Sequence, residues 1–157
     1  MPTFRTTREV RHAPDRMFAL VADVERYPEF LPLCESLRVL RREPGEGDGQ
    51  GDRTETIVAD MAVGYKAIRE HFTTRVTLDR PAHKIAVTYI EGPFRHLDNR
   101  WTFREGPRGC TVEFYITYEF KSRMLGLLMG SMFEKAFAKF AEAFERRADR
   151  VYGVPAA

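Results

Sequence analysis

The 157-residue chain has only two cysteines, Cys34 and Cys110. They are too few and too far apart for a metal cage, a redox motif or a disulfide framework, and they predict free thiols in a reducing compartment. No run of about 18 uncharged apolar residues occurs, and no charged start leads into an apolar segment with a cleavage site. Neither membrane spanning nor secretion is therefore expected, and the protein reads as cytoplasmic, peripheral at most. An excess of one charge is also missing, since 25 basic and 23 acidic residues leave a net charge of +2. That balance gives no ground for DNA binding. His12, His71, His83 and His96 stand at no ligand spacing from one another or from a cysteine, so no metal site is predicted. Ser36, Ser122 and Ser131 lack a nucleophile elbow, and Gly126-Gly130-Ser131 lacks the lysine of a phosphate loop. Glu70 and His71, neighbours in a strand, point to opposite faces, which leaves His96 and Asp98 as the remaining acid–base pair. No catalytic set emerges, and the chain does not read as an enzyme.

What is present is a long closing helix, Lys121 to Tyr152, with an aromatic row. Phe133, Phe137, Phe140 and Phe144 recur at helical spacing and are continued by Ala148 and Val151, while Lys135, Lys139, Glu142, Arg146, Asp149 and Arg150 form the opposite face. The first two turns depart from this pattern. From Met124 to Gly130 apolar residues point all round the axis, and Gly126 and Gly130 fall on or beside the core stripe. Methionine adapts to variable shapes, and exposed apolar surface marks contact sites. Leu127 and Leu128, which project away from the stripe, are the expected membrane contacts.

Ahead of this helix the pattern is strand-like. Thr3 to Arg11 reads as a strand, and Pro14 starts a helix that Tyr27-Pro28 ends. A cramped turn follows from Glu29 to Cys34. Six further strands are expected at Ser36–Arg42, Arg53–Val63, Tyr65–Leu78, Lys84–Glu91, Arg95–Arg104 and Cys110–Phe120. Between them lie a glycine-dense loop from Glu43 to Gly51, a turn at Asp79–Ala82 and a hairpin tip at Glu105–Gly109. Residues 1–157 thus form one α+β domain. A curved seven-stranded antiparallel sheet wraps around a long C-terminal helix, with two short helices after the first strand and a cavity between sheet and helix. Tyr65, Phe72, Tyr89, Phe94, Asn99, Trp101 and Phe103 supply bulky apolar material with isolated polar groups. That is the make-up of a small-molecule pocket and equally of a core.

Two motifs, Asp23-Val24-Glu25-Arg26-Tyr27-Pro28-Glu29-Phe30-Leu31-Pro32-Leu33-Cys34 and Glu91-Gly92-Pro93-Phe94-Arg95-His96-Leu97 leading to Trp101-Thr102-Phe103, closely resemble signatures of the coenzyme Q-binding START-domain family. Cys110 to Phe114, Tyr118 to Ser122, Ala143 to Ala148 and Tyr152-Gly153 extend the resemblance from about Phe4 to Gly153. This family lies in the polyketide cyclase/START-like superfamily, and its bacterial relatives include ribosome-association toxins. The resemblance implies a helix-grip fold with a hydrophobic tunnel and no required cofactor. It also implies ubiquinone, or a polyprenylated precursor, as the bound ligand, in support of respiration or ubiquinone biosynthesis at the inner face of a respiratory membrane. The tail would lie along Met129, Phe133 and Phe137, under Tyr89, Leu97 and Trp101, with Tyr27, Phe30 and Phe94 framing the mouth. Leu33, where many members carry tryptophan, would seal it. The alternative is a toxin that binds the large ribosomal subunit and blocks subunit joining. A third class on the same fold is an aromatase or cyclase.

Overall fold

The computed structural model describes residues 3–44 and 54–154. Strand β1 (Thr3–Val10) is followed by α1 (Pro14–Ala22), a 3₁₀ helix (Val24–Glu29), and strands β2 (Cys34–Pro44), β3 (Thr54–Tyr65) and β4 (Ile68–Asp79). Strands β5 (Lys84–Glu91), β6 (Phe94–Gly106) and β7 (Gly109–Phe120) lead into α2 (Arg123–Tyr152). The seven strands form one antiparallel sheet in the order β1-β7-β6-β5-β4-β3-β2. Every neighbouring pair except β1 and β7 is consecutive in sequence, as short turns require. Register shifts at Cys34/Ser36, Val39/Arg41, Thr73/Thr74 and Phe94/His96 mark bulges, which bend and twist strands and so curve the sheet. The concave face carries the core, closed by α1 and α2.

Several boundaries differ from expectation for local reasons. Helix α1 stops at Ala22, and the chain through Tyr27-Pro28 is a separate 3₁₀ helix that contains the proline. Strand β3 runs on through Tyr65, and the hairpin turns at Lys66-Ala67, with Lys66 at φ 56°, where no glycine or proline signals it. Strands β2 and β6 extend beyond their expected ends because the neighbouring ladders continue. Arg53 and the loop from Gly45 to Gly51 lie outside the described residues.

Helix α2 begins at Arg123 rather than Lys121, capped by Ser122, whose hydroxyl accepts the Leu125 N–H at 3.1 Å. Val151 is 51 % exposed, so Tyr152, which packs against the core, ends the buried stripe in its place. Asp149 does not belong to the solvated face. Its carboxylate holds the imidazole of His12, a buried residue, at 2.7 Å. A Cβ on Gly130 would meet nothing, and one on Gly126 would meet only the Phe120 ring at 3.8 Å, so neither glycine is required by close packing.

Candidate functional site

Antiparallel succession places the start of β2, the β3–β4 turn, the β5–β6 turn and the start of α2 at one end of the sheet. The Lys121 N–H donates to the Pro93 carbonyl at 2.8 Å, and the Gly64 N–H to the Leu33 carbonyl at 3.0 Å, which ties that end together. Beneath it lies a cavity of about 110 Å³. Its floor is the concave face: Met61 and Val63 of β3, Phe72, Thr74 and Val76 of β4, Val87 of β5, and Leu97 and Asn99 of β6. Phe133, Phe137 and Phe140 of α2 form the roof, and the corner Leu31 to Cys34 closes one side. Leu33 holds φ 69°, an uncommon conformation for a bulky side chain, with its side chain on the cavity.

No charged side chain lines the cavity; its polar groups are Thr74, Asn99 and the Cys34 thiol. Burial raises the Cys34 thiol to about 11, and Cys110, buried elsewhere in the core, likewise to about 11. Both cysteines are free thiols, as the sequence predicts. Neither is a nucleophile at neutral pH, because the thiolate is the reactive form.

Of the residues expected at a ligand, Leu33, Leu97, Phe133 and Phe137 line the cavity. Six others stand outside it, each held by its own packing. Tyr27 donates its hydroxyl to the Val21 carbonyl and sets its ring edge-on to Phe144, and desolvation raises its phenol well above the ordinary range. Phe30 packs on Phe144 with the Arg147 guanidinium 5.2 Å from its ring centroid, and so turns towards the surface. Trp101 stacks on Phe103 and meets Phe114 and Phe144 edge-on. Phe94 is enclosed by Phe72, Tyr89, Phe120 and Phe133. The Tyr89 hydroxyl accepts the Phe94 N–H at 3.0 Å, where the β5–β6 ladder has already ended at Thr88/Asp98. Met129 is only 1 % exposed and belongs to the core cluster. Phe140, Thr74 and the Leu31 to Cys34 corner complete the wall. Thr74 carries no sequence signal, being one of many strand threonines.

At the same end, Met124, Leu127 and Leu128 are 70, 80 and 55 % exposed, an apolar patch beside Lys121 and Arg123. Among the described residues no helix is long and apolar enough to cross a membrane, and no His/Cys/Asp/Glu group could hold a metal. Along the outer face of α2 a shallow depression is bordered by Glu29, Phe30, Lys139, Glu142, Arg146, Arg147 and Arg150. Two of its four cations are paired: Arg147 bonds Glu29 at 2.8 Å and Arg146 bonds Glu142 at 2.5 Å.

Residues 10–145 match the family model described as polyketide cyclase / dehydrase and lipid transport. The ribosome association toxin RatA of Escherichia coli (strain K12) is 32 % identical over 153 residues, covering 97 % of this chain and 90 % of that protein. The mitochondrial coenzyme Q-binding protein COQ10 homolog B of Xenopus laevis is 29 % identical over 144 residues, covering 88 % of this chain and 54 % of that protein. Among solved structures, an 18 kDa protein of Caulobacter crescentus superposes with a TM-score of 0.77 at 34 % identity, covering 98 % of this chain and 100 % of that one. The Zhui aromatase/cyclase of Streptomyces sp. R1128 reaches a TM-score of 0.76 at 18 % identity, covering 95 % and 94 %, a likeness of fold alone. The seven-stranded sheet gripping a long carboxy-terminal helix is the helix-grip arrangement of these proteins, and the chain belongs to the START-like polyketide cyclase / dehydrase and lipid transport family.

Proposed function

We propose that the protein binds a polyprenylated quinone-type lipid, ubiquinone or a biosynthetic precursor, and presents it at a membrane surface without transforming it. The observation that carries this reading is the uncharged, almost wholly apolar cavity under the aromatic row of α2. Apolar walls with few polar groups favour ligands driven by hydrophobic burial, about 0.8 kcal/mol per methylene. At about 110 Å³ the space suits a ring rather than a whole isoprenoid chain. The head group would enter the cavity while the tail leaves between the Leu33 corner and the start of α2, towards exposed Met124, Leu127 and Leu128. Lys121 and Arg123 beside that patch suit an anionic leaflet. The name of the Xenopus relative supports the choice of ligand.

Organic extraction of purified protein with mass spectrometry, followed by titration of stripped protein with decylubiquinone read by Trp101 fluorescence, tests the reading. The expected result is one prenylated or alkylated quinone per chain. No prenyl lipid in the extract, together with no response to added quinone, would sink it.

The second reading, association with the large ribosomal subunit, is favoured by the names of the bacterial relatives and by Lys135, Lys139 and Arg150 on exposed α2. Co-sedimentation with purified large subunits at 50 and 200 mM salt tests it, since phosphate contacts made by these residues weaken steeply with salt.

A further inference from the structure

On the concave face Thr74 stands between Phe72 and Val76 of β4, and Asn99 between Leu97 and Trp101 of β6, and both polar residues border the cavity. Thr74 is 7 % exposed, and its hydroxyl makes no hydrogen bond to the protein among the described residues. Every side-chain oxygen or nitrogen that protein atoms seal completely has a partner among those residues. The unpartnered Thr74 oxygen is therefore not sealed, and the space it opens onto is the cavity. Asn99 makes one side-chain bond, from Nδ2 to the Tyr115 carbonyl at 2.8 Å, and its amide keeps a second N–H and the capacity to accept. Near-buried polar groups without partners are rare in folded proteins and point to a missing one.

The missing partner has to offer polar atoms within an uncharged, apolar body, because no charged side chain lines the cavity to pair with an ion. The register spaces the two groups. Val87 of β5 lies opposite both Asn99 and Val76, so Thr74 sits two strands over and two residues along from Asn99. On a flat sheet that is about 12 Å between backbones, and concave curvature shortens it. A ring laid over Val87 lies between the two groups, and oxygens on its opposite sides reach them through hydrogen bonds of about 2.8 Å.

Resting on the quinone-type reading above, we propose that Thr74 and Asn99 determine the specificity of the cavity, holding a ring by its oxygen substituents and rejecting a hydrocarbon in the same place. The Thr74 hydroxyl and the Asn99 amide can each donate and accept, so both recognise oxygen as such, whether carbonyl, hydroxyl or ether. A hydrocarbon ring leaves them shut off from water and unpaired in an apolar wall. The same penalty falls on an isoprenoid tail. The head, rather than the tail, therefore takes the cavity.

The test titrates stripped protein by calorimetry with decylubiquinone and with decylbenzene, which has a ring and the same tail but no oxygen. Wild type is expected to bind decylubiquinone about tenfold more tightly or better. Thr74→Val, nearly isosteric, should weaken decylubiquinone severalfold and leave decylbenzene at or above its wild-type affinity. Stripped Thr74→Val should melt no lower than wild type, since the change removes an unpartnered hydroxyl. Thr74→Ser, which keeps the hydroxyl, should hold decylubiquinone within about twofold of wild type. Asn99→Leu should narrow the preference for decylubiquinone in the same way, and Thr74→Val decides the matter if Asn99→Leu does not fold. Unchanged decylubiquinone affinity in Thr74→Val, a lower melting temperature of that variant when stripped, or equal binding of the two probes by wild type overturns the proposal and leaves quinone-type binding standing. No binding of decylubiquinone by wild type overturns the quinone-type reading itself.

Discussion

Phe133 and Phe144 occupy the same helical stripe and do different work. Phe144, 1 % exposed, meets Tyr27, Phe30 and Trp101 edge-on, with rings on every side. Phe133 packs on Phe94, Tyr118 and Phe120 but turns its remaining surface to the cavity. Phe144→Ala should cost about 3–5 kcal/mol, and Phe133→Ala clearly less, because its wall already borders open space. Quinone affinity should fall in Phe133→Ala and stay near wild type in folded Phe144→Ala. Denaturant melts and titrations of both variants check this, and equal losses of stability with wild-type binding by Phe133→Ala would place the pocket elsewhere. The thiols give a second prediction. Burial raises Cys34 and Cys110 from 9.0 to about 11, so both folded thiols stay protonated where unfolded ones ionise. Their contribution to stability is whole below pH 9 and is lost as pH rises towards 11. The urea midpoint should accordingly fall between pH 8.5 and 10.5, and less steeply in Cys34→Ala/Cys110→Ala. A double variant that tracks wild type would refute it.

Helix α2 is fastened unevenly. Its polar ties to the body among the described residues come from its final turns: Glu145 to Arg8 at 2.7 Å, Arg147 to Glu29 at 2.8 Å, Asp149 to His12 at 2.7 Å, and Tyr152 to the Arg16 carbonyl at 3.2 Å. Its first half lies on aromatic rings and ends in exposed Met124, Leu127 and Leu128. Leu127→Ser/Leu128→Ser should leave the melting temperature within about 2 °C of wild type, since exposed side chains contribute little to stability. Flotation with anionic vesicles should show severalfold weaker association, and equal flotation would exclude these leucines as the contact. The aromatic row, the outward leucines and the strand alternation were all legible in the sequence, because each repeats with the period of its element. The end of α1 was not, because proline within a 3₁₀ helix and proline after an α-helix leave the same trace. Nor was the pairing of Asp149 with buried His12, which lies 137 residues away. Trp101, Phe94 and Met129 illustrate the same limit: an apolar residue on the concave face reads alike whether its neighbour is a ring or a void, and only tertiary contacts decide.

For the molecule as a whole, the size of the cavity decides how a long lipid can be held. An enclosed tunnel would let affinity climb with every added methylene, at roughly 0.8 kcal/mol each. The closed space here is about 110 Å³, and the core beyond it is filled by Trp101, Phe114 and Phe144. The firm anchoring of the last turns of α2 keeps that part of the core shut, whereas the mouth lies under the less tethered first turns. If the proposed quinone-type lipid is the ligand, head-in, tail-out binding follows, with the tail covered only as far as the apolar patch at the start of α2. Across a series of quinones sharing one head group, affinity should therefore rise steeply for the first one or two isoprene units and then level off in detergent-free buffer. With anionic vesicles present, longer tails should partition the complex to the membrane without further tightening of the head group, because the remaining methylenes lie in lipid. Dissociation constants measured against tail length settle the point: a steady rise through six or more units would mean that α2 lifts along its length and the whole chain is swallowed.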